Sequence, residues 1–214
     1  LEKLKSAGSL SDQAYDILKK SIINNELKPM ELLVEEQIAS QLGISRTPVR
    51  TSIRRLAYEG LVEIETSKTT RVSKVSFKEA QDFQIIRETL EPLATELAFQ
   101  RIDPKSLEQL KLLLQRQQEC IENQDYSKFI NLDTEFHCLI AKLSNNTKLH
   151  DFISSLRDHL QRYLIQTKHE SALDAIIEHQ QIVASFENGN AKEAAKMMEN
   201  HVKKVSARFT EHEK

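Results

Sequence analysis

Apolar positions in the first third of the chain recur at helical spacing in three short runs. Ser11 reads as the cap of a helix through Tyr15, Ile17, Leu18, Ile22 and Ile23 that Asn24-Asn25 stops. Leu27-Lys28-Pro29 predicts an extended connection. A second helix starts near Val34-Glu35-Glu36, turns Ile38, Ala39 and Leu42 inward, and ends at Gly43. The third takes Ser45 as its N-cap and carries Pro48 in its first turn, where a missing N–H costs nothing. Its core face is Val49, Ile53 and Leu56. After Glu59-Gly60 the period changes: Leu61 to Glu65 and Arg71 to Val75 are β-branched runs around a polar tip, Thr66-Ser67-Lys68-Thr69-Thr70. Three helices and a two-stranded hairpin predict a winged helix-turn-helix.

The helical period then continues without strands. Ser76-Phe77-Lys78-Glu79 is a capping box opening an amphipathic segment to Arg101, with Phe83, Ile86, Leu90, Leu93, Leu97 and Ala98 as its apolar positions. A domain boundary is placed before it, giving residues 1–75 and 76–214. Asp103-Pro104 starts a helix reaching Asn123, and others follow from Tyr126 to Leu143, from Thr147 to about Lys168, and from Ala172 to Glu187. Asn190 with Glu193 caps the last, Ala191 to about Thr210. Six helices on short turns predict an all-α antiparallel bundle, so the fold class is mainly α.

Composition agrees: of 214 residues 39% are hydrophobic, and only four glycines and four prolines interrupt the pattern. With no signal-like start and no long apolar run, a cytoplasmic protein with no membrane partner is expected. Cys120 and Cys138 fit no metal or redox spacing and are expected as buried hydrophobes. The net charge of −2 is uneven: residues 1–75 hold twelve Lys/Arg against ten Asp/Glu, and the remainder eighteen against twenty-two. Bulk charge is too small to signal nucleic acid, so that inference rests on where the arginines sit.

They sit on the third helix. Arg46, Arg50 and Arg54 follow one another at i, i+4, i+8 on a face away from Val49 and Ile53, and no acidic residue interrupts them before Glu59. Such a face fits a helix laid in a major groove, where guanidinium groups bond guanine or clamp phosphate. Ser45, Arg46, Thr47, Arg50 and Arg54, with Lys68 and Arg71 of the wing, are the candidate DNA-binding residues.

All seven histidines fall in the second half. Asp133 and His137 are one helical turn apart on the side of Phe129, Phe136 and Ile140; His179 lies in the stripe Ile176-His179-Val183-Phe186, and His201 in Met198-His201-Val205. In a hairpin turning at Gly189 both His179 and His201 stand about 15–18 Å from the turn, hence at one level. One carboxylate and three imidazoles suit Zn²⁺, Ni²⁺ or a similar divalent ion, with positions left open for a ligand oxygen. His159 is a further pocket candidate, while His150, His169 and His212 read as surface.

These motifs carry a resemblance. Gly43-Ile44-Ser45-Arg46-Thr47-Pro48-Val49-Arg50 with Arg55-Leu56 and Glu59-Gly60-Leu61-Val62 resembles the DNA-binding signature of GntR-type bacterial repressors. Met30 stands where that family usually has glycine after a proline. The second half resembles the FCD ligand-binding domain through Arg87-Glu88-Thr89-Leu90-Glu91-Pro92-Leu93-Ala94, Asp133-Thr134-Glu135-Phe136-His137, Ser144-Asn145-Asn146, His179 and His201. Asn145 replaces its usual glycine. The resemblance implies that Asp133, His137, His179 and His201 bind metal, and that Arg87 and Asn146 lie near an effector carboxylate.

Two function classes follow. The first is a ligand-responsive regulator, expected to repress, that binds a near-palindromic double-stranded operator as a homodimer and answers to a small carboxylate effector. The second is a metal-dependent hydrolase fused to a DNA-binding module, since a metal with open positions can activate water. The sequence offers no separate general base beside the cluster, which weighs against the second.

Overall fold

The computed structural model describes residues 9–65, 69–167 and 172–211, with residues 167 and 209–211 described for backbone only. The chain divides between Val75 and Ser76 into two compact units.

The first unit holds α1 (Leu10–Ile23), α2 (Glu35–Leu42), α3 (Arg46–Tyr58), β1 (Val62–Ile64) and β2 (Thr70–Val72). Its cap corrects the sequence expectation: Ser9, not Ser11, starts α1, its hydroxyl accepting from the Asp12 N–H while the Asp12 carboxylate accepts from the Ser9 N–H. The Ser11 carbonyl instead receives the Ser52 hydroxyl from α3, 2.7 Å away. Ile17 is exposed, and Ala14, Tyr15, Leu18 and Ile22 form the buried side of α1 against Val49, Ile53 and Leu56 of α3. Asn25 takes the left-handed conformation that ends α1, and Gly43 does the same after α2.

Strands β1 and β2 pair antiparallel with Val62 opposite Val72 and Glu63 opposite Arg71. A segment read only as a connection adds to this wing: Met30 and Leu33 donate to the Val72 and Thr70 carbonyls, and the Glu31 carbonyl accepts from Val72. Met30 reaches this geometry at φ 66°, a left-handed backbone that a residue with a Cβ rarely adopts. The tip residues Thr66, Ser67 and Lys68 lie outside the described residues.

In the second unit α4 (Phe77–Phe99), α5 (Pro104–Glu122), α6 (Tyr126–Leu143), α7 (Thr147–Thr167), α8 (Ala172–Glu187) and α9 (Ala191–Glu211) form the bundle, with α4 packed on α6, α7 and α9. Ser76 and Glu79 cap α4 reciprocally, and Asp103, Asp125 and Asn146 accept from the first-turn N–H groups of α5, α6 and α7. Asn145 has φ 56°, so its turn is left-handed without glycine. The main core gathers Leu110, Leu113, Phe129, Phe136, Ile176, Ile182, Phe186, Met198 and Val202. Cys120 belongs to it; Cys138 is half-buried, and both thiols are free.

The apolar stripe read for α4 is its buried face only in part, at Ala98 and, packed against Ala94, Ala141, Leu149 and Ile153, at Leu90 and Leu97. Ile85, Ile86 and Leu93 are exposed, whereas Gln84, Arg87, Glu91 and Thr95 are buried between the small residues Ala80, Ala94 and Ala98. Polar side chains are tolerated there because they bond to one another and to the groups they face.

Candidate functional site

On α3 the candidate residues share one open surface. Ser45, Arg46, Thr47, Arg50 and Arg54 are all exposed, and the helix is anchored from behind by Val49, Ile53 and Leu56. Ser45 occupies the N-cap position but its hydroxyl makes no capping bond. The reason is local: Pro48 stands at the third helical position and has no N–H to give. Glu35, first residue of α2, lies between two of the arginines. Its carboxylate takes Arg50 Nε at 2.9 Å and Nη2 at 2.7 Å, and Arg46 Nη2 approaches to 4.0 Å. The Arg50 hydrogen bond, with added pull from Arg46 and Arg54, holds the Glu35 carboxyl below its usual range despite some burial. Sequence reading had assigned Glu35 only to the helix terminus. A groove of about 790 Å³ runs between α3, the start of α2 and the wing, with Arg46, Arg50 and Arg54 along it. Arg71 on β2 is half-buried, 3.7 Å from Glu65. Arg55 is turned away from this surface, stacked 3.6 Å over the Tyr15 ring and 3.6 Å from Glu59, whose carboxylate also accepts the Tyr15 hydroxyl.

In the second unit Asp133, His137, His179 and His201 are buried, and each offers a ligand atom within 4.8 Å of the others'. They come from α6, α8 and α9, and the His179 and His201 ring centroids are 4.7 Å apart. The common level follows from similar stretches of helix on either side of Gly189, ten residues to His179 and twelve to His201. Asp133 Oδ1 lies 3.4 Å from His179 Nε2 and 3.8 Å from His137 Nε2.

Each imidazole meets an outer oxygen at Nδ1. Gln117 Oε1 on α5 is 3.0 Å from His179, Glu178 Oε2 on α8 is 2.8 Å from His201, and Glu91 Oε2 on α4 is 2.6 Å from His137. The last is an ion-pair distance without hydrogen-bond alignment, since both ring nitrogens of His137 lack an aligned partner among the described residues. His179 Nε2 is likewise buried without one. A polar atom left so is costly, whereas a cation among these Nε2 atoms and Asp133 Oδ1 would satisfy it, so the residues present fit a divalent metal ion. Burial first, then the neighbouring imidazoles, holds His179 and His201 well below the ordinary value, which keeps both rings neutral for ligation.

Burial works against ionising Glu91, but Arg87 and His137 outweigh it and its carboxyl stays well below the usual range. Arg87 is fully buried, with Nε 2.6 Å from Glu91 Oε1, Nη2 3.3 Å from Oε2, and Nη1 bonded to Gln84 Oε1. Arg87 lines a small cavity with Asp133, Arg157, His201, Tyr126 and Leu164; its volume of about 30 Å³ admits a water or two, so an organic acid must widen it. Arg157, from α7, is 2% exposed and pairs through Nη2 with Asp133 Oδ2.

The structure does not bring every expected residue here. Asn146 is exposed and serves as the cap of α7, away from the cavity. His159 stacks on Phe83 with centroids 4.9 Å apart and does not line the cavity. His150 is half-buried, and His169 and His212 lie outside the described residues. Sequence reading missed Glu91, Gln117, Arg157 and Glu178. Glu91 could be found as the i+4 partner of Arg87 and Glu178 as the neighbour of His179, but nothing in the sequence flags Gln117 or Arg157.

Residues 10–72 match the family described as bacterial regulatory proteins, gntR family, and residues 83–204 match the FCD domain. The chain is 32% identical over 187 residues to the HTH-type transcriptional regulator YdhC of Bacillus subtilis (strain 168), covering 86% of this chain and 83% of the relative. It is 24% identical over 206 residues to the HTH-type transcriptional repressor RspR of Escherichia coli (strain K12), covering 95% and 90%. Its fold is similar to that of E. coli McbR/YncC, with a TM-score of 0.85 at 24% identity over 97% of this chain and all of that one. The chain therefore belongs to the GntR family and carries an FCD domain. It is a DNA-binding transcriptional regulator and not an enzyme, which sets the hydrolase reading aside.

Proposed function

We propose that this GntR regulator is a cytoplasmic, homodimeric repressor that reads a near-palindromic operator through α3 and the wing, and whose bundle binds a divalent metal ion and a small carboxylate effector. On the DNA side, Arg46, Arg50 and Arg54 supply base-edge and phosphate contacts, the uncapped Ser45 hydroxyl and Thr47 supply phosphate contacts near the helix N-terminus, and Lys68 and Arg71 act from the wing. Repression is supported by RspR, which is named a repressor. Dimerisation is supported by the exposed Ile85, Ile86 and Leu93 of α4, apolar side chains that a second copy would cover.

The observation that carries the effector half is the four-residue cluster with its unpartnered Nε2 atoms. Asp133, His137, His179 and His201 would hold the ion, which is zinc or, by the same donor set, nickel or another transition metal. When bound, the ion acts as a Lewis acid that takes a carboxylate oxygen. The protein's own part is to fix the three imidazoles through Gln117, Glu178 and Glu91, and to offer the Arg87 guanidinium beside the same cavity. Five N–H groups on Arg87 against three bonds leave two for an incoming carboxylate.

The deciding experiment is elemental analysis of the purified protein before and after dialysis against chelator, with operator binding measured in parallel. About one ion per chain, and carboxylate-dependent operator binding only in the loaded protein, is expected. A protein that takes up no ion on reconstitution overturns the metal reading.

A further inference from the structure

We infer that Arg157 is a second anion-binding group of the cavity, so that the effector is a small dicarboxylate. The inference rests on the effector reading above and specifies its ligand class. Arg157 reaches the cavity from α7, a helix that carries none of the four proposed metal ligands, and it lines the same space as Arg87, Asp133 and His201. It is 2% exposed, and its Nε–H is buried with no hydrogen-bond partner among the described residues. A guanidinium has a fixed fork of donors that matches a carboxylate, and leaving one of those donors dry and unpaired is costly. Arg87, by contrast, has a bond on each of its three nitrogens, to Glu91 and Gln84, and keeps only one N–H free on each Nη.

The balance of buried charge points the same way. Arg87 pairs with Glu91, Arg157 with Asp133, and Arg208 with Glu178, its Nη2 2.6 Å from Oε1, while Arg162 is a further buried cation. The three pairs cancel. A divalent cation then brings two positive charges into the same low-dielectric space, and a dianion matches them where a monoanion leaves one uncompensated. One carboxylate would meet the ion and Arg87, and the other would close the open side of Arg157 at its unpaired Nε–H.

The test compares succinate with butyrate, which match in carbon number and differ in one carboxylate, by calorimetry on the zinc-loaded full-length protein. Succinate should bind about tenfold or more tightly than butyrate, and Arg157→Gln should reduce that preference to about twofold or less. Arg157→Lys, which keeps a charge beside Asp133, should retain zinc at wild-type stoichiometry and an intermediate preference. That variant separates loss of the anion contact from loss of the metal. Equal binding of the two acids by wild type, or an undiminished preference in a zinc-retaining Arg157→Gln protein, overturns the dicarboxylate inference while leaving the carboxylate site in place. If neither acid binds and neither changes operator affinity, both this inference and the effector reading beneath it fail.

Discussion

Glu178 Oε2 lies 2.8 Å from Nδ1 of His201, reaching across from α8 to α9 one residue before His179. The contact orients the His201 ring so that Nε2 is left for ligation, and Arg208 braces the other carboxylate oxygen at 2.6 Å. Replacing Glu178 by Gln keeps the shape but removes the charge. Metal affinity should fall about 10–100-fold while stoichiometry at saturating zinc is unchanged. Competition with a fluorescent chelator measures this, and an unchanged affinity would mean that the carboxylate does not support the site.

His179→Ala and His201→Ala should each lower metal content and behave alike. Because an ion that binds only the folded state stabilises it, zinc at a hundred times its dissociation constant should add about 2.7 kcal/mol to the wild type. Chelator should therefore lower the wild-type melting temperature towards that of the variants and leave theirs nearly unmoved. Variants that melt early but carry full metal would return the histidines to ordinary core polar groups.

Arg46→Ala and Arg50→Ala should each cost about 1–3 kcal/mol on an operator selected from random duplexes, and less on scrambled DNA. Glu35→Gln should act oppositely on the scrambled duplex. It frees Arg50 from its ion pair, so non-specific binding tightens and the ratio of specific to non-specific affinity drops. Gel shifts at fixed salt decide both, and equal losses on the two duplexes would restrict these arginines to phosphate contact.

Met30→Gly should stabilise the first unit by about 0.5–1 kcal/mol, since a left-handed backbone costs a residue with a Cβ about 1–2 kcal/mol and glycine recovers this less its extra unfolded-state entropy. Met30→Val should be destabilising, because branching at Cβ worsens the same clash. Urea unfolding of the two variants against wild type gives the sign directly.

Ile85→Lys combined with Leu93→Lys should shift the protein from dimer to monomer in sedimentation, with the helical content of the bundle kept. Both side chains are exposed, so the charges cost little in the folded protomer and would be buried only at an interface. A double variant that stays dimeric places the second copy elsewhere.

The sequence by itself determined the local architecture. Periodicity, Asn25 and Gly43 at helix ends, the Ser76–Glu79 box and the β-branched runs around the wing each act within a few residues, so the order and type of every element were legible. The spacing from Gly189 even set His179 and His201 at one level, because helix rise is constant. What tertiary structure decided is which face of α4 is buried. Its apolar positions Ile85, Ile86 and Leu93 face outward, while Gln84, Arg87 and Glu91 go inward bonded to one another along α4, with Glu91 also meeting His137 from α6. The same holds for Gln117 on His179, Glu178 on His201, Arg157 on Asp133 and Glu35 on Arg50. A buried polar side chain is stable only if its partner arrives with it, and for these pairs the partner sits on another helix, at a separation that no local pattern encodes.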